Sequence, residues 1–528
     1  MINQFVSHAN RKVPVAFSIL VTIVSLLVSY SFLRYTGYWG ETDTNAFSNY
    51  IYQILASGTL VPETGIVYPN GYGYQALAVF VIEIAGLEVA QLQLIGGSLL
   101  AIWMVFPAWM LYRELTGSSV GASLATLILF VQPEFLFPIF RGTHEKFTRG
   151  LMLLGLYLLV KSFRSRDRIW HFTSLVLSFY LVTFAIITFN NLLAISFVMA
   201  IGLSLILGGF LIGLRRVDSD TSIEIVRRLA YVLVVSIIFA FLFTFYVYEP
   251  AQNNVNLMQS VFDRVSILLL DVDTVSSNPY ASINTGWISV PVYFVLSLPN
   301  WLILLVSTII WLGQSWKLFK LRDQKIVESQ TLLWSFYGAF AFIGFLSIIV
   351  DLSGALASNL QHRAFPSFTM LAAPLIAYWL TTQLAEWHRS WIFRGLLMGV
   401  FSFLALVSIL KATNEPLLSN KWLFHHPNEM QALYWANDHL EDRLVWIGFD
   451  ERLRMALGTR LGTDQVTIEP QQYIFPSNET RDFLVSDIIR ARSQRLNFSI
   501  PLTGDSLQTY DNGQVQIYHK RPVTTYQR

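Results

Sequence analysis

The sequence predicts a mainly α, polytopic membrane helix bundle followed by a small α/β domain. Three observations predict it. The chain is 54% hydrophobic and only 13% charged, about half the charged share of a soluble domain, and its mean hydropathy is +0.48. Apolar runs such as 13–33, 229–248 and 331–350 are long enough to cross roughly 30 Å of hydrocarbon as helices. Beyond residue 410 the long runs stop, and short apolar stretches separated by turn residues replace them.

Taken in order, the runs predict eleven crossings, at 13–33, 89–112, 119–139, 147–163, 169–188, 191–213, 229–248, 288–312, 331–350, 364–384 and 391–410. Each must be a helix, because lipid satisfies no backbone polar group. Arg11 and Lys12 precede the first run, which lacks a small-residue cleavage site and reads as a retained helix. Basic residues test the count. One set of loops carries Arg11, Lys12, Arg113, Lys161, Arg164, Arg166, Arg168, Arg215, Arg216, Arg227, Arg228, Lys317, Lys320, Arg322, Lys325, Arg389 and Arg394. The other set, before the tail, carries only Arg34, Arg141, Lys146, Arg149, Arg264 and Arg363. The positive-inside rule puts the first set and the N-terminus in the cytoplasm. Segment 72–88 is short and carries Glu83 and Glu88. Counting it as a crossing would invert the asymmetry, so it reads as an interfacial or re-entrant helix.

An odd number of crossings leaves the tail outside. The expected organisation is a transmembrane unit, 1–410, with an outer loop at 34–88, and an extracytoplasmic α/β domain, 411–528. In the tail, 444–449 reads as a buried strand and Asp450 to about Leu457 as a helix. Residues 483–488 read as a second strand, and 506–518 as a hairpin turning at Asp511-Asn512-Gly513. The absence of cysteine excludes disulfides, thiolate metal sites and cysteine nucleophiles. No Gly-rich phosphate loop, HExxH, GxSxG or kinase signature occurs, which speaks against soluble-nucleotide chemistry. No nucleic-acid partner is expected.

The polar residues of the outer face carry the functional argument. Acidic residues in such a loop are usually just solvated. Glu41 and Asp43, however, stand one residue apart, and in extended backbone they point the same way. Such a pair can hold a divalent cation or push one pKa up towards that of a base. Arg141, Lys146 and Arg149, with His144, crowd the start of one outer helix. They are headgroup anchors or a phosphate site, where Arg presents a planar fork and Lys a point charge. Glu145 can orient or neutralise its neighbours. His362-Arg363 likewise starts an outer helix, as an interfacial anchor or as a phosphate contact at a helix N-terminus.

The order of motifs is more specific than any one of them. Glu41-Thr42-Asp43 follows the first helix, and Tyr68-Pro69-Asn70-Gly71-Tyr72 opens an amphipathic stretch ending in Gly86-Leu87-Glu88. One helix ends in Leu111-Tyr112-Arg113-Glu114-Leu115-Thr116-Gly117, and the next ends at Gln132-Pro133 before a polar outer loop. In this order the chain resembles the GT-C superfamily of polytopic glycosyltransferases. It is most similar to the branch of protein O-mannosyltransferases and aminoarabinose transferases.

The resemblance implies a hexosyltransferase-like membrane enzyme in a prokaryotic plasma membrane. It would move a sugar from a polyprenyl-phosphate donor to a glycan, lipid or protein acceptor on the extracytoplasmic face, with inversion. Asp43 would be the general base. Glu41 would hold the acceptor, or share a Mg or Mn ion with Asp43. Arg141, His144, Lys146 and Arg363 would bind the donor phosphate, with Glu145, Tyr72 and His362 as further candidates. The chain departs from the branch in having Glu-x-Asp for adjacent Asp-Glu and Pro-Asn for Pro-Pro. It lacks the Trp-Trp-Asp motif of oligosaccharyltransferases, which argues against en bloc oligosaccharide transfer. The rival readings are a transporter or flippase, and a polymerase or ligase of lipid-linked glycans. Transporters often show internal repeats, and this sequence has none.

Overall fold

The computed structural model describes residues 17–29, 38–39, 42–61, 68–93, 101–165, 169–213, 219–270, 290–320, 328–353, 360–383, 391–412, 424–440, 443–448, 450, 453, 466–468, 480–496, 499–500, 502 and 504–520. The bundle opens with α1 (Phe17–Ser29). A two-residue strand, β1 (Tyr38–Trp39), α2 (Thr42–Ser57) and α3 (Gly73–Ala85) follow. After α4 (Val105–Thr116), α5 (Ser119–Phe130), α6 (Pro133–Phe140) and α7 (Glu145–Arg164) come α8 (Ile169–Phe189), α9 (Asn191–Gly213) and α10 (Ser219–Leu242). The bundle closes with α11 (Asn253–Leu270), α12 (Val290–Lys320), α13 (Glu328–Leu352), α14 (Leu360–Gln383) and α15 (Trp391–Ala412).

Seven described helices are long and apolar enough to cross a membrane, at Ile169–Phe189, Asn191–Leu211, Ala230–Val247, Phe294–Leu318, Gln330–Leu352, Arg363–Thr382 and Gly395–Ala412. The protein is a multi-pass integral membrane protein. Ile206, Leu181 and Phe345 are exposed on these helices, as lipid-facing side chains are. Inside, Leu111, Leu129, Met152, Leu156, Phe197 and Leu371 belong to one continuous core. The 20 residues of α7 span about 30 Å, with charge gathered at the two ends. At its C-terminal end Lys161 (2.8 Å) and Arg164 (2.6 Å) clamp Glu114 of α4.

Four expected crossings, 13–33, 89–112, 119–139 and 147–163, are not among these seven helices. Segment 119–139 is not a straight span: α5 and α6 are bent by 70° at residues 131–132. Pro133 has no N–H to continue the ladder, and Pro138 lies inside α6. Side chains cover the carbonyls exposed by the break. Ser408 of α15 donates to the Val131 carbonyl (2.5 Å) and Gln132 Nε2 to that of Ile128 (3.2 Å). Lys411 then pairs with Glu134 at 2.8 Å. The bend swings α6 sideways, so that it delivers Arg141 to the end of the bundle.

Segment 72–88 contains α3, thirteen residues long and about 20 Å, short of the hydrocarbon thickness. Tyr74, Ala78 and Ile82 pack it towards α2 and α8, while Phe80 and Ile84 are exposed.

The tail holds β2 (Phe424–His425), α16 (Pro427–His439), β3 (Arg443–Trp446), β4 (Val466–Ile468), β5 (Asp482–Ser486), α17 (Asp487–Leu496), β6 (Ser506–Asp511) and β7 (Val515–Lys520). Five strands make one sheet in the order β4-β3-β5-β7-β6. The β3–β4 and β3–β5 pairs are parallel, and β5–β7 and β6–β7 antiparallel. Leu433, Trp446, Phe483, Val485 and Ile517 form its core. The expected hairpin is present, with Gly513 at φ 87°. The expected strand 483–488 stops at Ser486, whose Oγ accepts from the Ile489 N–H (3.2 Å) and starts α17. The helix expected from Asp450 falls largely outside the described residues. The sequence reading missed α16, although Pro427 opens it and the Glu429 carboxylate accepts from the His426 N–H at 2.8 Å.

The antiparallel pairing of β1 with β2 sets Tyr38 opposite His425 and Trp39 opposite Phe424. The tail therefore begins on the same side of the bundle as the acidic motif, and next to it in space.

Candidate functional site

The site is built where the N-terminus of α2 meets the connection between α6 and α7. Asp43 lies in the first turn of α2, and its Oδ2 accepts from Arg141 Nη2. These residues are 98 positions apart. One residue on, the Gly142 N–H donates to Thr44 Oγ1 at 2.9 Å. A second layer backs this clasp. Ser48 Oγ donates to the Thr44 carbonyl (2.8 Å), Gln93 Nε2 to Ser48 Oγ (3.4 Å), and the Tyr74 hydroxyl to Gln93 Oε1. The clasp requires glycine at 142, because a Cβ there would stand 2.4 Å from Gln93 Oε1 and 2.7 Å from Thr44 Cγ2.

Arg141 lies between two carboxylates. Its Nη1 is 3.8 Å from Glu145 Oε2, and its guanidinium carbon sits 4.6 Å from the centroid of the Phe137 ring, a cation–π arrangement. Asp43 is the open end of the pair, with a side chain 45% exposed against 9% for Arg141. Burial pushes the Glu145 carboxyl up, but Arg141 and Arg149 outweigh it and hold the carboxyl below its usual value. Arg149, itself buried, donates to Ser367 Oγ and to the Arg363 carbonyl, both at 2.6 Å. It thereby ties α7 to the start of α14. The Arg363 side chain is exposed, and its charge is felt at Glu145 and His144.

The Tyr68 segment forms the other wall. Gly71, at φ 152°, is pressed so closely on the end of α8 that a Cβ would stand 2.1 Å from the Thr188 carbonyl oxygen. The Asn191 N–H donates to the Asn70 carbonyl (2.7 Å), and the Tyr248 hydroxyl to that of Tyr68 (2.6 Å). The Tyr68 ring lies 5.2 Å from the His144 ring and 4.9 Å from Phe47. Asn190 Nδ2 reaches His144 Nε2 at 2.6 Å. Burial lowers His144 to about 4.

Several residues singled out from sequence thus converge: Asp43, Arg141, His144 and Glu145, with Arg363 close by. Lys146 takes another role. It is buried, and its ammonium donates to the Arg141 (2.5 Å) and Ile139 (3.3 Å) carbonyls at the end of α6. Burial, with Arg141 nearby, lowers it to about 7. Tyr72 stands apart, its ring 5.3 Å from Tyr248 and 5.9 Å from Phe243. Glu41 and the side chain of His362 lie outside the described residues. The sequence reading missed Asn190, Tyr248 and Ser367. The only available signal for Asn190 was a polar pair, Asn190-Asn191, between two apolar runs.

The expected cation pair is only half described, since Glu41 lies outside the described residues. Asp43 is paired with a guanidinium, and among the described residues no three His, Asp or Glu gather. The paired Asp43 and Arg141 suit an anion that competes for the guanidinium.

No protein-family profile matches the chain, and no curated protein matches it in sequence. Solved structures match it in fold. The apo oligosaccharyltransferase of Archaeoglobus fulgidus aligns at TM-score 0.56 and 10% identity, over 90% of this chain and 69% of that one. The archaeal oligosaccharyltransferase AglB from the same organism, in complex with an inhibitory peptide and a dolichol-phosphate, aligns at 0.54 and 10% identity, over 96% and 75%. ArnT from Cupriavidus metallidurans bound to undecaprenyl phosphate gives 0.43 and 12% identity, over 95% and 97%. By these alignments the chain has the fold of the Archaeoglobus fulgidus oligosaccharyltransferase, a GT-C fold.

Proposed function

We propose that the protein is a membrane glycosyltransferase that moves a hexose from a polyprenyl-phosphate donor to an acceptor hydroxyl on the extracytoplasmic face. One observation carries this reading. A half-exposed carboxylate, Asp43, and a buried guanidinium, Arg141, are brought together at one end of the bundle from segments 98 residues apart. The fold is one whose solved examples include a dolichol-phosphate complex.

The chemistry follows from the pair. The phosphate of the lipid-linked donor is drawn to Arg141 and Arg363, since guanidinium forks match phosphate oxygens. While Asp43 is held by Arg141 its carboxylate is a weak base, because a cation beside it favours the charged form. A donor phosphate competes for the same guanidinium and frees Asp43. Asp43 then takes the proton of the acceptor hydroxyl, whose oxygen bonds to the anomeric carbon from the face opposite the phosphate. The bond from the anomeric carbon to the phosphate oxygen breaks, and the lipid phosphate leaves as an anion stabilised by Arg141 and Arg363. The attack from the opposite face inverts the sugar. Lys146 supports the end of α6, so the phosphate role rests on Arg141, Arg363 and His144. Glu41 is proposed to hold the acceptor.

The test is donor kinetics with purified protein in lipid. Arg141→Gln and Arg363→Gln should each raise the donor KM by roughly tenfold or more, the value of one charge-assisted contact. Unchanged donor kinetics in both variants removes the phosphate site.

A further inference from the structure

We propose that Asn190 is a positioning residue that holds His144 as the neutral tautomer protonated on Nδ1, and that this N–H donates to a phosphate oxygen of the lipid-linked donor. The proposal rests on the donor-phosphate reading above and adds to it a residue with no charge and no motif.

The hydrogen bonds set the tautomer. Asn190 Oδ1 accepts from the Leu193 backbone N–H at 2.9 Å, which fixes the orientation of the amide and turns Nδ2 the other way. Nδ2 carries two protons, directed to His144 Nε2 (2.6 Å) and the Tyr68 hydroxyl (3.1 Å). That hydroxyl also accepts from Asn70 Nδ2 at 3.1 Å. Its own proton therefore points at His144 Nε2, 3.4 Å away. Two donors converge on Nε2, which must keep its lone pair, so the ring proton sits on Nδ1.

His144 is only 4% exposed, and among the described residues its Nδ1 has no hydrogen-bond partner. A buried donor without an acceptor is costly, and a ligand oxygen recovers that cost on binding. The charged and titratable groups facing the ring are Asp43 from α2, Arg141 and Glu145 from the α6–α7 connection and the start of α7, and Arg363 from α14. The Tyr68 hydroxyl faces it from the segment before α3. Burial keeps the imidazole neutral near pH 7, at about 4.

The experiment measures binding of a C55 polyprenyl phosphate, without sugar, to the full chain in nanodiscs across about pH 6 to 8.5. In Asn190→Asp the new carboxylate accepts a proton from Nε2, so the neutral ring loses its Nδ1 proton. It also raises the pKa of the ring by its charge. Relative to wild type, its affinity should fall about tenfold at the alkaline end and recover towards pH 6, where the imidazolium carries both protons. Taking the ratio to wild type cancels the titration of Lys146, which at about 7 is common to both proteins. His144→Asn, whose amide nitrogen stands near the Nδ1 position, should bind better than His144→Gln, which matches Nε2. A ratio that stays flat with pH, or His144→Gln binding as well as His144→Asn, overturns the role of Asn190. Arg141→Gln separates the two readings. If it loses affinity while the Asn190→Asp ratio stays flat, only the tautomer claim falls. If it too binds like wild type, or wild type binds no polyprenyl phosphate, the donor-phosphate reading falls with it.

Discussion

Gly142→Ala is the sharpest probe of the clasp between α2 and the α6–α7 connection. Ordinary contact begins near 3.4 Å, yet the added Cβ would stand 2.4 Å from Gln93 Oε1 and 2.7 Å from Thr44 Cγ2. About 1 Å must be found. Gln93 cannot yield freely, because its Oε1 accepts from Tyr74 and its Nε2 donates to Ser48. Thr44 cannot either, because its hydroxyl accepts from the Gly142 N–H itself. The backbone at 141–142 must therefore lift, and Arg141 leaves Asp43. Overpacking of this kind costs about 1–3 kcal/mol of stability, which a large bundle tolerates. A misplacement of about 1 Å at a reacting centre costs on the order of a hundredfold in rate. The assay is sugar transfer by purified protein in lipid, with abundance and melting measured alongside. Gly209→Ala is the control, since its Cβ meets nothing within 4 Å. A Gly142→Ala protein that transfers within about twofold of wild type refutes the idea that the clasp positions the site.

Further outcomes follow from other contacts. Arg149→Met removes a buried guanidinium that binds Ser367 and the Arg363 carbonyl, and losing two charge-assisted bonds should cost about 3–6 kcal/mol. Ser367→Ala removes one charge-assisted bond, worth about 1.5–3 kcal/mol. Thermal melts in detergent should rank wild type above Ser367→Ala and both above Arg149→Met, and the reverse order for the two variants contradicts the cross-link. His144 gives a pH dependence whose sign is set by its folded value of about 4 against 6.5. The unfolded chain binds the proton first, so this stability is full above about pH 6.5 and is lost as pH falls towards 4, amounting to about 3 kcal/mol. Melts of wild type and His144→Asn should converge over that range, and parallel curves would contradict a buried neutral imidazole. Gly71→Ala, whose Cβ would meet the Thr188 carbonyl at 2.1 Å, should lower the melting temperature by several degrees. An unchanged melt removes the close docking of the Tyr68 segment.

Local physics made much of the architecture legible. Length and apolarity mark helices such as α9 and α13 in the sequence, because a lipid-spanning backbone has no alternative. Asp511-Asn512-Gly513 marked its hairpin, because Gly513 sits at a positive φ that the turn demands. Charge asymmetry grouped Asp43, Arg141 and Arg363 on one side, and the structure brings these segments together. The pairing of β1 with β2 sets the start of the tail beside them. What stayed hidden is non-local or sterically local. No spacing rule reveals that Arg141 reaches back 98 residues to Asp43, or that Arg149 reaches forward to Ser367. The 70° break in 119–139 was signalled by Pro133 but masked by the apolar residues on both sides of it. Lys146 read as a phosphate ligand because its charge was visible and the carbonyls it serves were not. Asn190 lacked both charge and periodicity, and its meaning comes from a histidine 46 residues away.

The central claim is that Asp43, released from Arg141 by the donor phosphate, takes the acceptor proton. The most direct measurement incubates purified wild-type and Asp43→Asn protein in lipid with a panel of polyprenyl-phosphate sugars, with and without chelator. Wild type should transfer sugar from at least one donor. Asp43→Asn should bind that donor undiminished while losing about 10²–10⁴-fold in transfer, the range of general base catalysis. Undiminished transfer by Asp43→Asn would contradict the account.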